Sequence, residues 1–388
     1  MALRFHWRML QGGEGAGLPR GTQNRTPSIG MPELDGQAEF CRRAVACGMD
    51  SLLLDFGYAK PDPILLAAAL GMKAGGIGFI VAYRSGLMSP VTFVQQLNTL
   101  SALIGGRFSL NIVAGHSPDE QRSYGDHLDH DRRYARTDEF LAVCHAFWEG
   151  RRDIDFAGEY YRIEKGNLNS AFQSERRTSP EIYIAGSSEA ARRLAVARGT
   201  CWMQIGDTVE RIARAAEAVR GEGIDVGLRL SVIARPTREE AVAAARALVD
   251  GLGPGGAEKD VEGAFIRRSD SQSMRDMYRR AGEEWLSPTL WAGAVRSHGP
   301  ASIALVGSPR DIAGAILEYE RAGVTQFILS GWPKVESMEY FGREILPIIR
   351  HAERAAGGQA PREPGCEGVP APHAGRRPAD VAGERINL

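Results

Sequence analysis

Arg229 and Ser231 stand two residues apart in an otherwise apolar run, RLSVIAR, a spacing that puts both side chains on one face of a β-strand. A guanidinium and a hydroxyl on one face can hold negative charge and donate hydrogen bonds to a ligand, although the serine alone is a poor general base. Gly186-Ser187-Ser188 lies between the apolar run EIYIA and a helical pattern, so its N–H groups and hydroxyls could cradle a phosphate. Read from residue types alone, the serine pair is better explained by helix capping, which is the more frequent use. His116, His127 and His130 stand with Asp126, Asp129 and Asp131 in one stretch that lacks the paired ligand spacing of hydrolytic metal sites. It reads as a solvated loop, with His130 and Tyr134, four apart at a helix start, as contacts to an anion. Lys60 and Lys334 each follow an apolar run; they either select an anionic group or extend into solvent, as lysines usually do.

These residues need elements to hold them, and one unit has both ends written in the sequence. Ser308 is a good N-cap, Pro309 suits the first helical position, and Gly323 suits the turn that stops a helix. The run 326–330 that follows reads as a strand buried on both faces, and Gly331-Trp332-Pro333-Lys334 comes directly after it. The same rhythm recurs, with strands expected over 5–9, 51–55, 77–83, 107–113, 181–185, 201–205, 228–235 and 326–330, and helices over 34–46, 63–72, 90–104 and 133–148. A small hairpin is expected at 156–161, and the run 303–306 leads back to the last helix. About eight strands alternating with helices is the number that closes a TIM-type (β/α)8 barrel, whose chemistry sits just after each strand.

The barrel domain is expected over 1–353, with a charged insertion over about 251–302 read as a mobile lid and a Pro/Gly/Arg-rich, disordered tail over 354–388. The 47 basic and 48 acidic residues leave a formal net charge of −1, with no global field to attract nucleic acid or an anionic membrane. The N-terminus lacks a signal-peptide core and no run approaches a membrane span, so a cytoplasmic location is expected. The five cysteines are scattered, with no Cys-x-x-Cys pair, and read as reduced packing residues. Neither a dinucleotide-binding Gly-x-Gly-x-x-Gly after a strand, nor a P-loop, nor a Gly-x-Ser-x-Gly elbow occurs.

The segments NIVAGHSP, HDRRY, IYIAGSSEAA, RLSVIAR, SPTLWAG and LVGSPRDIAGAILEYERAGVTQFILSGWP, taken in order, resemble the bacterial luciferase-like flavin-dependent monooxygenases, and within them the alkanesulfonate monooxygenase branch. The resemblance implies a barrel that takes reduced FMN from a separate NAD(P)H-dependent flavin reductase, reacts it with O2 and passes one oxygen atom to a small-molecule substrate. It implies that Asn111 approaches the flavin, and that His130, Tyr134, Gly186, Ser187 and Ser188 serve its phosphate, which lifts the phosphate reading above the cap. Arg229 and Arg296 would face flavin and substrate, and a non-prolyl cis peptide is implied around Ala82. A homodimer or homotetramer is implied as well.

The substrate side departs from the sulfonate-cleaving relatives. They carry a cysteine at Lys60, a histidine at Ser231, and Tyr-Pro-His at Trp332-Pro333-Lys334. With the flavin half kept and the substrate half rewritten, the expected substrate is not a simple alkanesulfonate, while Lys60, Arg229, Arg296 and Lys334 still suit an anionic group. Two further readings stay open: a deazaflavin-dependent dehydrogenase on the same fold, and a flavin-binding protein that has lost turnover.

Overall fold

The computed structural model describes residues 2–11, 31–57, 60–250, 263 and 266–357. The expected tail from 358 onward and the first part of the expected insertion, 251–262 with 264 and 265, lie outside the described residues.

The first half runs β1 (Arg4–Arg8), α1 (Leu34–Ala46), β2 (Ser51–Leu54), α2 (Pro63–Ala74), β3 (Gly78–Tyr83), α3 (Pro90–Ile104) and β4 (Phe108–Ile112). Then come α4 (Pro118–Ser123), α5 (His130–Trp148), the hairpin β5 (Ile154–Ala157) and β6 (Arg162–Gly166), β7 (Glu181–Ala185), α6 (Glu189–Arg198), β8 (Cys201–Ile205) and α7 (Val209–Glu217). The remainder is β9 (Asp225–Ala234), α8 (Arg238–Asp250), α9 (Gln272–Arg280), β10 (Leu290–Trp291), α10 (Val295–His298), β11 (Ala304–Gly307), α11 (Pro309–Arg321), β12 (Gln326–Gly331), α12 (Lys334–Tyr340) and, after a π-helical turn, α13 (Leu346–Gly357).

Local chemistry sets many of the boundaries. Ser89 accepts from the Thr92 N–H ahead of Pro90, and Gly105 ends α3 in the left-handed region at φ 65°. Ser308 and Asp311 form a reciprocal capping box at α11 with Pro309 in the first turn. The longer helices bury their apolar side against the core; Ile312, Ile316 and Tyr319 do so from α11.

The parallel strands β12, β1, β2, β3, β4, β7, β8 and β9 follow one another, and β9 pairs back onto β12 to close the ring. β9 outruns β8: β8 pairs along it from Asp225 to Arg229, and β11 takes over the same edge from Ser231 to Ala234. The run 303–306 is therefore a strand of the wall rather than a simple return to the last helix. The hairpin is also longer than expected, with strands on either side of 158–161.

One expectation is overturned. Ala82 and Tyr83 pair with Asn111 and Ile112 in a continuous parallel ladder, and the Val113 N–H extends it to the Tyr83 carbonyl. An unbroken ladder needs trans peptides, and the cis bond among the described residues is Trp332–Pro333.

Alternation along the strands stacks the barrel interior in three layers. At the N-terminal end Arg4 pairs with Glu181 and Asp225, both at 2.9 Å, and buried His6 hydrogen-bonds Ser51 at 2.6 Å and Gln326 at 3.2 Å. A plug of Leu53, Ile80, Ala82, Tyr183, Met203 and Ile328 fills the middle. Polar side chains return above it, at the C-terminal ends.

Candidate active site

Four strands deliver the polar mouth. Arg8, the last residue of β1, donates from Nε to Asp55 Oδ2 at 2.5 Å, just past the end of β2. Gln11 fixes Asp55 through both backbone groups, donating to its carbonyl at 3.0 Å and accepting from its N–H at 2.6 Å. Burial favours the neutral Asp55 carboxyl, but Arg8, Lys60 and Arg229 outweigh it and hold the group below the usual carboxylate range. Arg229 Nη1 reaches the Leu230 carbonyl at 3.2 Å, the Ile328 carbonyl at 3.4 Å and Ser330 Oγ at 3.3 Å. Ser231 and Ser330 share a hydrogen bond of 2.9 Å, and Ser231 also donates to the Ala301 carbonyl at 3.2 Å.

Lys334 opens α12 with Trp332 and Pro333 between it and the end of β12, and its Nζ is buried. Burial, with Arg8 nearby, pushes its pKa down to about 5, so near neutral pH it is an amine. This lysine does not extend into solvent. On the opposite wall, Asn111 carries a buried Oδ1 that finds no hydrogen-bond partner among the described residues. Such an acceptor is costly to bury alone and suits a ligand's N–H.

A groove opens beside the mouth, where the N-termini of α5 and α6 converge; its volume is about 800 Å³. Asp129 caps α5 by accepting from the Arg132 N–H at 2.9 Å, and the His130 and Tyr134 rings lie 4.9 Å apart in its first turns. Tyr134 donates to the Ala185 carbonyl at 3.4 Å, which ties the groove to the rim of β7. Burial raises the Tyr134 phenol pKa against the opposing hydrogen bond with Ser188. Ser188 caps α6, accepting from the Ala191 N–H at 3.2 Å, and lines the groove, while Ser187 is exposed. Capping and ligand contact are thus not exclusive at Ser188. Gly186 sits at φ 131° with its carbonyl accepting from Trp202 at 2.7 Å and Gln204 at 3.1 Å. A Cβ there would come within 2.8 Å of the Tyr134 hydroxyl, so only glycine allows this approach. A hydroxyl pair and a helix N-terminus over such a space fit a phosphate group.

Arg229, Ser231, Lys60 and Lys334 gather at the mouth, and His130, Tyr134 and Ser188 at the groove. Two further expected site residues make other contacts. Arg296 is exposed, with its guanidinium 5.8 Å from the centre of the Tyr278 ring. Trp332 packs on a cluster containing Ile233, Trp291 and Val306, with its ring 5.7 Å from His298.

Arg8, Gln11, Asp55 and Ser330 did not emerge from the loops after the strands. Arg8 was legible, because it shares the inward register of His6 in β1. Arg84, right after β3, is a further member of the rim: it is 6% exposed, pairs with Glu120 at 2.7 Å and lies over the Phe56 and Tyr124 rings. The Asp-rich stretch is largely structural, since Asp126 pairs with Arg136 at 2.5 Å and Asp129 serves as a cap.

Comparison with solved structures places the same fold around other chemistries. A riboflavin lyase, described with modified FMN and riboflavin, is 22% identical with a TM-score of 0.69 over 91% of this chain and 92% of that one. The EDTA monooxygenase of Chelativorans sp. BNC1 is 19% identical, TM-score 0.69, over 91% and 94%. An F420-dependent secondary alcohol dehydrogenase is 16% identical, TM-score 0.62, over 90% and 100%. The model of the luciferase-like monooxygenase family matches residues 10–326, a span that runs from before β2 to the first residue of β12 and includes the groove. The chain belongs to the luciferase-like monooxygenase family.

Proposed function

We propose that this chain is the oxygenase of a two-component system, which takes reduced FMN from an NAD(P)H-dependent flavin reductase and uses O2 to oxygenate a small anionic organic substrate other than a simple alkanesulfonate. The observation that carries the reading is the joining of two unlike spaces at one rim: a mouth with an apolar floor and cationic side chains, and a groove of about 800 Å³ at two helix N-termini, linked to it through Tyr134 and Ala185.

Asn111, Tyr134 and Ser188 are the residues that would hold FMN, with His130, Gly186 and Ser187 shaping the phosphate end. When bound, reduced FMN supplies the two electrons that let O2 give one atom to substrate and the other to water. The chain's own part is to orient and to exclude water. Ile80, Ala82 and Ile328 keep the floor dry, which strengthens every charge interaction above them. Arg229, fixed by three acceptors, holds negative charge on the substrate, and Ser330 and Ser231 set the direction of its guanidinium. Lys60 stands at the edge of this field, close enough to Asp55 to stabilise its charge.

A homodimer or tetramer suits the outer face of α2, where Leu65 is 72% and Met72 66% exposed. No helix among the described residues is long and apolar enough to cross a membrane.

The test is oxygen consumption by the full chain with reduced FMN and a panel of carboxylate and sulfonate substrates, run beside a deazaflavin-reduction assay. Substrate-dependent oxygen uptake that falls at least about tenfold in Arg229→Ala supports the proposal. Deazaflavin reduction with no oxygen uptake would replace it with the dehydrogenase reading, and FMN retention without turnover by the binding-protein reading.

A further inference from the structure

The groove beside the mouth is lined by acids and bases, and their pairing is uneven. Asp131 is hydrogen-bonded to His130 at 2.8 Å, Asp138 pairs with Arg198 at 2.7 Å, Glu189 with Arg192 at 2.6 Å and Asp270 with Arg133 at 2.6 Å. Three of the four carboxylates are committed to arginines. Arg193 and Arg275 also line the groove; neither forms a salt bridge among the described residues, and Arg193 acts on Glu189 only at longer range. Two guanidinium charges therefore face a space where three of the four acids are already answered by other arginines, which favours an anion.

Arg275 reaches the groove from α9, far along the chain from the other walls, and a buried clasp holds it there. Arg133 is 2% exposed and satisfies three separate segments: the Ala114 carbonyl after β4 at 3.0 Å, the Leu128 carbonyl before α5 at 2.6 Å, and Asp270. Asp270 in turn donates its N–H to the His116 carbonyl at 2.9 Å. Two residues later α9 begins, and Arg275 is anchored by donating to the Ser269 carbonyl at 2.6 Å. The clasp thus sets where the start of α9 lies against α5 and α6.

We propose that Arg275 is a ligand for the phosphate end of the flavin, held in place by Arg133 and Asp270 as a positioning pair, so that the groove selects a phosphorylated flavin over an unphosphorylated one. This rests on the flavin reading above. Arg193, exposed on α6, adds charge from the opposite wall.

The experiment is fluorescence titration of the full-length chain with FMN, with riboflavin, and with FMN in the presence of inorganic phosphate. The unaltered chain is expected to prefer FMN by at least about tenfold, with phosphate competing. Arg275→Gln should remove most of that preference by weakening FMN while riboflavin affinity stays within about twofold, and Arg275→Lys should restore part of it. Asp270→Asn, which keeps an acceptor for Arg133, should shift FMN affinity in the same direction as Arg275→Gln. Hydrogen exchange should show residues 271–280 protected by FMN in the unaltered chain and not in Arg275→Gln. If the unaltered chain binds FMN but its FMN-to-riboflavin ratio is unmoved in Arg275→Gln, this inference is overturned and the flavin reading stands. If the unaltered chain binds no flavin, both fall.

Discussion

Arg8 and Asp55 meet at 2.5 Å across the top of neighbouring strands β1 and β2, and the carboxylate they share with Arg229 and Lys60 is the electrostatic centre of the mouth. Asp55 has its folded pKa depressed, so its contribution to stability is present above the unfolded value and is lost as pH falls through the folded one. Asp55→Asn is expected to destabilise the chain at pH 7 by about 1–3 kcal/mol and to flatten acid unfolding below pH about 4. Urea midpoints measured at several pH values decide this. An acid limb identical to that of the unaltered chain would remove Asp55 from the centre of the mouth.

Lys334 destabilises where Asp55 stabilises, although stability rises with pH in both windows. Its folded pKa is lowered from 10.5 to about 5, so between those values the unfolded chain binds the extra proton and stability rises with pH. Lys334→Met, which keeps the length and drops the amine, should be more stable at pH 7 by on the order of 1 kcal/mol and should lose part of that slope. Equal slopes in the two proteins would place the amine in water.

His6, in the opposite end of the barrel, has its folded pKa lowered from 6.5 to about 4 by burial and by Arg4. Between those values the unfolded state takes up the proton, so stability should fall as pH drops from 6.5 toward 4. His6→Gln should make that part of the profile shallower without changing FMN affinity, because the apolar plug separates His6 from the mouth. A changed flavin affinity would mean that the two ends are coupled.

Asn111 tests the cofactor side with least damage to the fold. Its Oδ1 is buried with no hydrogen-bond partner among the described residues, so Asn111→Leu should cost less than about 1 kcal/mol of stability. FMN affinity should nonetheless fall at least about tenfold. Thermal unfolding and FMN titration on the same sample separate the two effects. Unchanged FMN affinity would take Asn111 out of the site.

Much of this was readable along the chain because the signals are local. Strands β7 and β8 and helices α1 and α3 match their expected bounds, since caps, glycines and apolar periodicity act over a few residues. The inward pair Arg229 and Ser231 follows from strand alternation in the same way. The family motifs carried His130, Tyr134 and Ser188 to a common groove by their order alone.

What the folded chain decided is which distant segments become neighbours. Nothing local to Arg8 names Asp55 as its partner, and nothing near Arg133 names Asp270, which is 137 residues away. Burial of the Lys334 amine, the stacking of Arg296 on Tyr278, and the takeover of the β9 edge by β11 are likewise products of closure. Periodicity and capping are properties of consecutive residues, whereas desolvation and charge pairing depend on what the closed barrel brings alongside each side chain.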